Sequence, residues 1–95
     1  MMYFTYILLC IKEKRLYTGY TNDLRNRFKE HTEGKVFSTK NRRPLKLIYY
    51  EACLNKEDAM RREKTLKSGR GKTYLKKRLK RFLQCSGFGP NTGTP

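Results

Sequence analysis

Two strand-like runs lie three polar residues apart near the start of the chain, and that spacing narrows the fold more than any other feature. Residues 3–11 (Tyr-Phe-Thr-Tyr-Ile-Leu-Leu-Cys-Ile) are aromatic, β-branched and continuously apolar, the pattern of a strand covered on both faces. Lys12, Glu13 and Lys14 follow, and residues 15–20 read as a second strand. A connection this short leaves no room for a crossover, so the pair must be an antiparallel hairpin.

The rest of the chain supplies one more strand and several helices. Thr21, Asn22 and Asp23 offer N-caps for a helix running to about residue 32, with Gly34 as its stop. Residues 35–44 form a basic loop and residues 45–53 a third strand. Asn55 caps a second helix over residues 56–67, which Ser68 and Gly69 break. Residues 73–82 then place Leu75, Leu79 and Phe82 on one side of a third, shorter helix. The order β-β-α-β-α-α describes an α/β chain of the α+β kind, a small three-stranded sheet flanked by helices. Ninety-five residues make one domain with a modest core. We place that domain at residues 1–83 and a flexible Gly/Pro/Thr-rich tail at residues 84–95.

Charge constrains the partner. The chain carries 23 Lys and Arg against 8 Asp and Glu, a net charge of +15. That excess repels itself in the compact state and calls for a polyanion. It is also uneven: residues 1–60 hold 12 basic and 7 acidic side chains, residues 61–95 hold 11 and 1. Nucleic acid fits this pattern ahead of an anionic membrane. Candidate backbone contacts are Lys35, Lys40, Arg42 and Arg43 in the loop, with Lys72, Lys76, Lys77, Arg78, Lys80 and Arg81 in the third helix. Contacts of this kind set affinity without reading sequence. The three cysteines, Cys10, Cys53 and Cys85, form no C-x-x-C pair, and with one histidine they argue against a zinc site. Free thiols in a reducing cytosol are expected, with Cys10 and Cys53 as core filler. The apolar run at the start is too short to span a bilayer and lacks the flanks of a signal peptide.

Polar residues where apolar ones belong mark a site. On the first helix the inward stripe reads Leu24, Arg27, Phe28, His31, and a cation facing the sheet needs a partner or a cleft. On the second helix the stripe reads Ala59, Met60, Glu63, Leu66, and Glu63 is the sole acid after Asp58. On the hairpin Tyr17 and Gly19 share a face, where the missing side chain of Gly19 allows close approach. Tyr6 lies on the paired strand, and a buried phenol seeks a hydrogen-bond partner. Each has a structural explanation by itself, as a packed tyrosine, a snorkelling arginine or a core histidine. Their convergence on one sheet face points to catalysis.

Those residues carry a resemblance. Phe4-Thr5-Tyr6 and Tyr17-Thr18-Gly19 resemble the two signature tripeptides of the GIY-YIG nuclease family, with Phe4 in place of the first glycine and Thr5 and Thr18 in place of isoleucines. Residues 22–31 look like the family's first helix, with Arg27 at its functional arginine, and residues 58–63 look like the segment that ends in its metal-binding glutamate, here Glu63. The likeness spans roughly residues 3–80 and is nearest to the short, stand-alone members.

The resemblance implies a metal-dependent endonuclease hydrolysing phosphodiester bonds in DNA, structure-selective rather than sequence-selective. Glu63 would hold one Mg²⁺ or Mn²⁺, and Arg27 would clamp the phosphate. Tyr17 would position or deprotonate the water, Tyr6 would orient the water or hold Tyr17, and His31 is a second candidate for proton transfer. Two alternatives stay open: a nucleic-acid-binding module of this fold with weak or no catalysis, and an accessory docking on an acidic protein or ribonucleoprotein.

Overall fold

The computed structural model describes residues 1–85 and divides into two compact units, with the boundary after Glu63. In the first unit, β1 (Tyr3–Cys10) is the central strand of a three-stranded antiparallel sheet, between β2 (Arg15–Thr21) and β3 (Leu45–Cys53). The expected hairpin is present, with Lys14 at φ 56° in its turn. The central position explains the unbroken apolar run: Thr5 to Cys10 are all buried. Ile11 falls outside the strand and is 41% exposed.

Helix α1 (Leu24–Thr32) begins where Asp23 accepts a hydrogen bond from the Asn26 amide, and Gly34 follows its end at φ 78°. Tyr6, Leu8 and Cys10 of β1 form a cluster with Leu45, against which Tyr17, Leu24, Phe28 and Leu47 pack. Alternation sends Thr5, Ile7 and Leu9 to the opposite face. There the Thr5 hydroxyl donates to the Ala59 carbonyl at 2.9 Å, on the first part of α2 (Lys56–Lys67). A threonine in place of an isoleucine is thereby satisfied inside the core rather than left as an unpaired polar group. Asn55 caps α2 by accepting from the amides of Glu57 and Asp58.

The second unit holds the last turn of α2, α3 (Gly69–Arg78) and α4 (Lys80–Cys85). Among the described residues of this unit, Leu66, Leu75, Leu83 and Gly71 are buried. A Cβ on Gly71 would lie 2.7 Å from the Leu66 carbonyl carbon, so only glycine lets α3 start so close to α2.

Several expectations need correction here. The single third helix over residues 73–82 is two helices, separated at Leu79 (φ −110°, ψ 25°), and the first of them starts at Gly69 because Ser68 caps it. Both glycines in that first turn argue for a loop on propensity, but the cap and the packing against Leu66 outweigh them. Met60 does not face inward; it is 43% exposed, while Ala59 beside it is buried. Cys53 is half-buried rather than core, donating its thiol to the Asn55 carbonyl. Helix α4 includes Gln84 and Cys85, and the remainder of the tail assigned to residues 84–95 lies outside the described residues. Among the described residues no helix is long and apolar enough to cross a membrane.

Candidate active site

The β1–β2 register sets the site. Tyr6 pairs directly with Gly19, and Tyr17 pairs with Leu8. Opposed residues share a face, as do residues two apart on one strand, so Tyr6, Tyr17 and Gly19 all lie on the side covered by α1. The Tyr6 ring crosses the space above Gly19: a Cβ there would lie 2.5 Å from Tyr6 Cζ. Glycine at 19 therefore makes room for Tyr6 itself, rather than for a ligand beside Tyr17.

Tyr6 is buried, and its hydroxyl meets His31 Nε2 at 2.8 Å. The other ring nitrogen, Nδ1, lies 2.7 Å from Thr39 Oγ1, and both His31 and Thr39 are fully buried. The three side chains form one hydrogen-bonded line from β1 through α1 to the loop. Burial drives the His31 pKa down to about 4, with the Arg27 charge adding to the fall and Glu30 opposing it. The imidazole is therefore neutral at pH 7, with one N–H, so it donates to one neighbour and accepts from the other. Burial likewise pushes the Tyr6 pKa up to about 12; a hydrogen bond from Arg27 counters part of that, and Tyr17 and Glu63 add to it.

Tyr17 differs in being half-buried. Its ring stands edge-on to His31 with centroids 5.3 Å apart, and its hydroxyl accepts from Ser38 Oγ at 3.4 Å. Arg27 pairs with Glu30 at 3.0 Å and keeps 37% of its side chain exposed. It lines an open polar cleft of about 360 Å³ with Tyr20, Asn22, Asn26 and Glu30. Glu63 is half-buried on α2, near enough to Tyr6 to influence its ionisation. The structure thus brings Tyr6, Tyr17, Arg27 and His31 together, with Glu63 in electrostatic reach.

The proposed backbone contacts are less uniform. Arg42 pairs with Glu13 at 3.4 Å, and Arg43 donates to the carbonyls of Lys40 and Thr32. Both help to hold the loop. Lys35 pairs with Glu33, and Lys40 Nζ sits 5.6 Å from the Phe37 ring centre. In the second unit Lys72, Lys76, Lys77, Arg78, Lys80 and Arg81 are all exposed.

Sequence reasoning passed over Thr39, Ser38 and Glu30. Only the spacing of Arg27 and Glu30, three apart on a helix, was there to be read. Outside the site, Arg62 forks onto Glu51 at 2.8 and 2.9 Å, and the Tyr49 hydroxyl donates to the same carboxylate. The Arg62 guanidinium holds the Glu51 carboxyl below its usual range, against the effect of burial.

With this geometry in hand the class is clear: the chain belongs to the GIY-YIG catalytic domain family, whose model matches residues 2–78. Among individual proteins, it is 45% identical over 67 residues to UPF0213 protein CPE1444 of Clostridium perfringens, covering 70% of this chain and 71% of that one. It is 43% identical over 67 residues to UPF0213 protein SH2523 of Staphylococcus haemolyticus, covering 70% and 80%. A solution NMR structure of the UPF0213 protein BH0048 from Bacillus halodurans shares 42% identity at a TM-score of 0.50, over 79% of this chain and 82% of that one.

Proposed function

We propose that this protein is a divalent-metal-dependent endonuclease that hydrolyses phosphodiester bonds in DNA and selects by structure rather than sequence. The observation that carries this reading is the sealed Tyr6–His31–Thr39 line, with the half-buried phenol of Tyr17 edge-on to His31 and the Arg27 guanidinium beside Tyr6. Phosphodiester hydrolysis needs an activated water, neutralised phosphoryl oxygens and help for the leaving oxygen.

The residues fit one hard cation. Glu63 offers a half-buried oxygen donor, and Mg²⁺ or Mn²⁺ takes one or two carboxylates while keeping several waters. Among the described residues no group of three His, Cys, Asp or Glu side chains gathers, so waters would complete the shell of an ion held at Glu63. When bound at Glu63, the ion supplies charge neutralisation and polarisation at the phosphoryl group.

Arg27 grips a phosphate oxygen from the edge of the polar cleft, its planar fork matching the oxyanion. Tyr17 orients the attacking water and, in its phenolate form favoured by the neighbouring cations, receives the water's proton at Oη. Tyr6 is buried, and its hydroxyl is shared between His31 and Arg27, which supports a holding role for it. Both nitrogens of His31 are occupied, so it fixes the wall against which Tyr17 stands rather than shuttling protons. A reducing, cytoplasmic setting suits the three free cysteines.

Supercoiled, branched and single-stranded DNA incubated with Mg²⁺ or Mn²⁺ tests the proposal. Cleavage that disappears in Glu63→Ala supports it; inertness on all three substrates, or activity unchanged by that substitution, overturns it. The exposed cations of α3 and α4 favour a second reading, a binding module without catalysis. Its signature is salt-steep DNA binding that survives both Glu63→Ala and Arg27→Ala with no cutting by the native chain.

A further inference from the structure

The loop that carries Thr39 also carries Phe37, which at 85% has the highest exposure of any large apolar side chain among the described residues. Its position is fixed. The Val36 carbonyl accepts from the Thr39 amide at 3.1 Å and the Lys40 amide at 2.9 Å, closing a turn with Phe37 and Ser38 at the tip. Val36 and Thr39 on either side are buried, and the Cys10 thiol donates to the Arg42 carbonyl beyond them. The fold thus anchors this turn in the core and leaves its aromatic ring in water.

A lone exposed apolar residue is ordinary on a protein surface. Three features set this one apart. Its backbone is held on both sides by buried residues. Its ring has Lys40 Nζ 5.6 Å from the centroid, and Lys35 and Arg43 stand exposed on the same loop. Its neighbour Ser38 hydrogen-bonds the Tyr17 hydroxyl, so the ring stands at the edge of the candidate site. An aromatic face beside cations is the combination that holds an unstacked base: the ring takes the π-face and the cations take the backbone.

We infer that Phe37 is a stacking platform for an unpaired nucleobase next to the phosphate held at the site, favouring single-stranded or frayed segments over intact duplex. The placement of that phosphate rests on the nuclease reading; the stacking does not.

The chain contains no tryptophan, so Phe37→Trp installs a single fluorescent reporter. In EDTA, thymidine oligonucleotide should quench its emission, and blunt duplex should not. Phe37→Ala should weaken binding of forked DNA about ten-fold by fluorescence anisotropy, with duplex affinity changed less than about two-fold. Circular dichroism of both variants should match the native chain, since the side chain lies outside the core. Tight oligonucleotide binding without quenching overturns the inference, as does an equal loss on fork and duplex, or no DNA binding at all. So does sedimentation showing that Phe37→Ala splits a dimer while DNA affinity is unchanged, because the ring then covers a second copy. If the native chain never cuts but the quenching and the selective loss persist, the nuclease reading falls and the platform stands.

Discussion

Tyr6 and Tyr17 come from the two signature tripeptides, face the same helix and both flank His31, yet the fold treats them oppositely. Tyr6 is sealed: it is 1% exposed, bonded to His31 at 2.8 Å, and has its pKa pushed up to about 12 by burial. Tyr17 keeps an accessible hydroxyl whose contact is a long one, 3.4 Å from Ser38. Identical chemistry is thus divided into a phenol that holds structure and a phenol that can meet water. The difference follows from register: Tyr6 stands on the central strand over a glycine, whereas Tyr17 stands on an edge strand beside the loop.

The sharpest way to break this comparison is Tyr17→Phe. Cleavage should fall by about 10²- to 10⁴-fold, as for loss of a proton-transfer group, with stability within about 0.5 kcal/mol of native. A rate assay beside a urea titration decides it, and full activity in the variant would give the role to another residue. Gly19→Ala acts on the sealed side. Its methyl group meets the Tyr6 ring, and overpacking of this kind costs about 2–3 kcal/mol, visible as a lower urea midpoint. A neutral result would mean that the Tyr6 ring can swing away.

Acid should also open the sealed side first. His31 has a folded pKa of about 4 against an ordinary value of 6.5, so the unfolded chain binds its proton first as pH falls. Stability should therefore drop from pH 6.5 toward pH 4, on the order of 2 kcal/mol by pH 5. The groups facing His31 are Tyr6, Thr39, Tyr17, Arg27 and Glu30, and among them only Glu30 favours the charged imidazole. Urea midpoints at pH 7 and pH 5 measure the effect, which His31→Gln should flatten. The smallest change is Thr39→Val, which leaves His31 Nδ1 without its partner at a cost of about 1 kcal/mol. Cleavage by that variant should fall only slightly, since Thr39 acts through two buried neighbours.

Much of the fold was legible because it rests on local rules. A connection of three residues by sequence, four in the fold, dictates a hairpin, a doubly covered strand reads as an unbroken apolar run, and Asp23 and Asn55 announce their helices. The split of the last helical segment was not legible. Ser68 is a local cap like Asp23 and Asn55, but two glycines follow it, and it is the packing of Gly71 against Leu66 that tips a sequence arguing for a loop into a helix.

What the sequence determined by itself was the set of groups for the candidate site: two phenols, an arginine and a histidine on the first helix, and a glutamate on the second, each placed by the period of its strand or helix. What tertiary structure alone decided was their division of labour. Burial and hydrogen-bond partners arise from register and from a loop that no periodicity describes. So Gly19 makes room for Tyr6 rather than for a ligand, and Thr39 locks His31 from eight residues away. Phe37 reaches the edge of the site for the same reason: it is carried there by a turn whose anchors are buried beneath it.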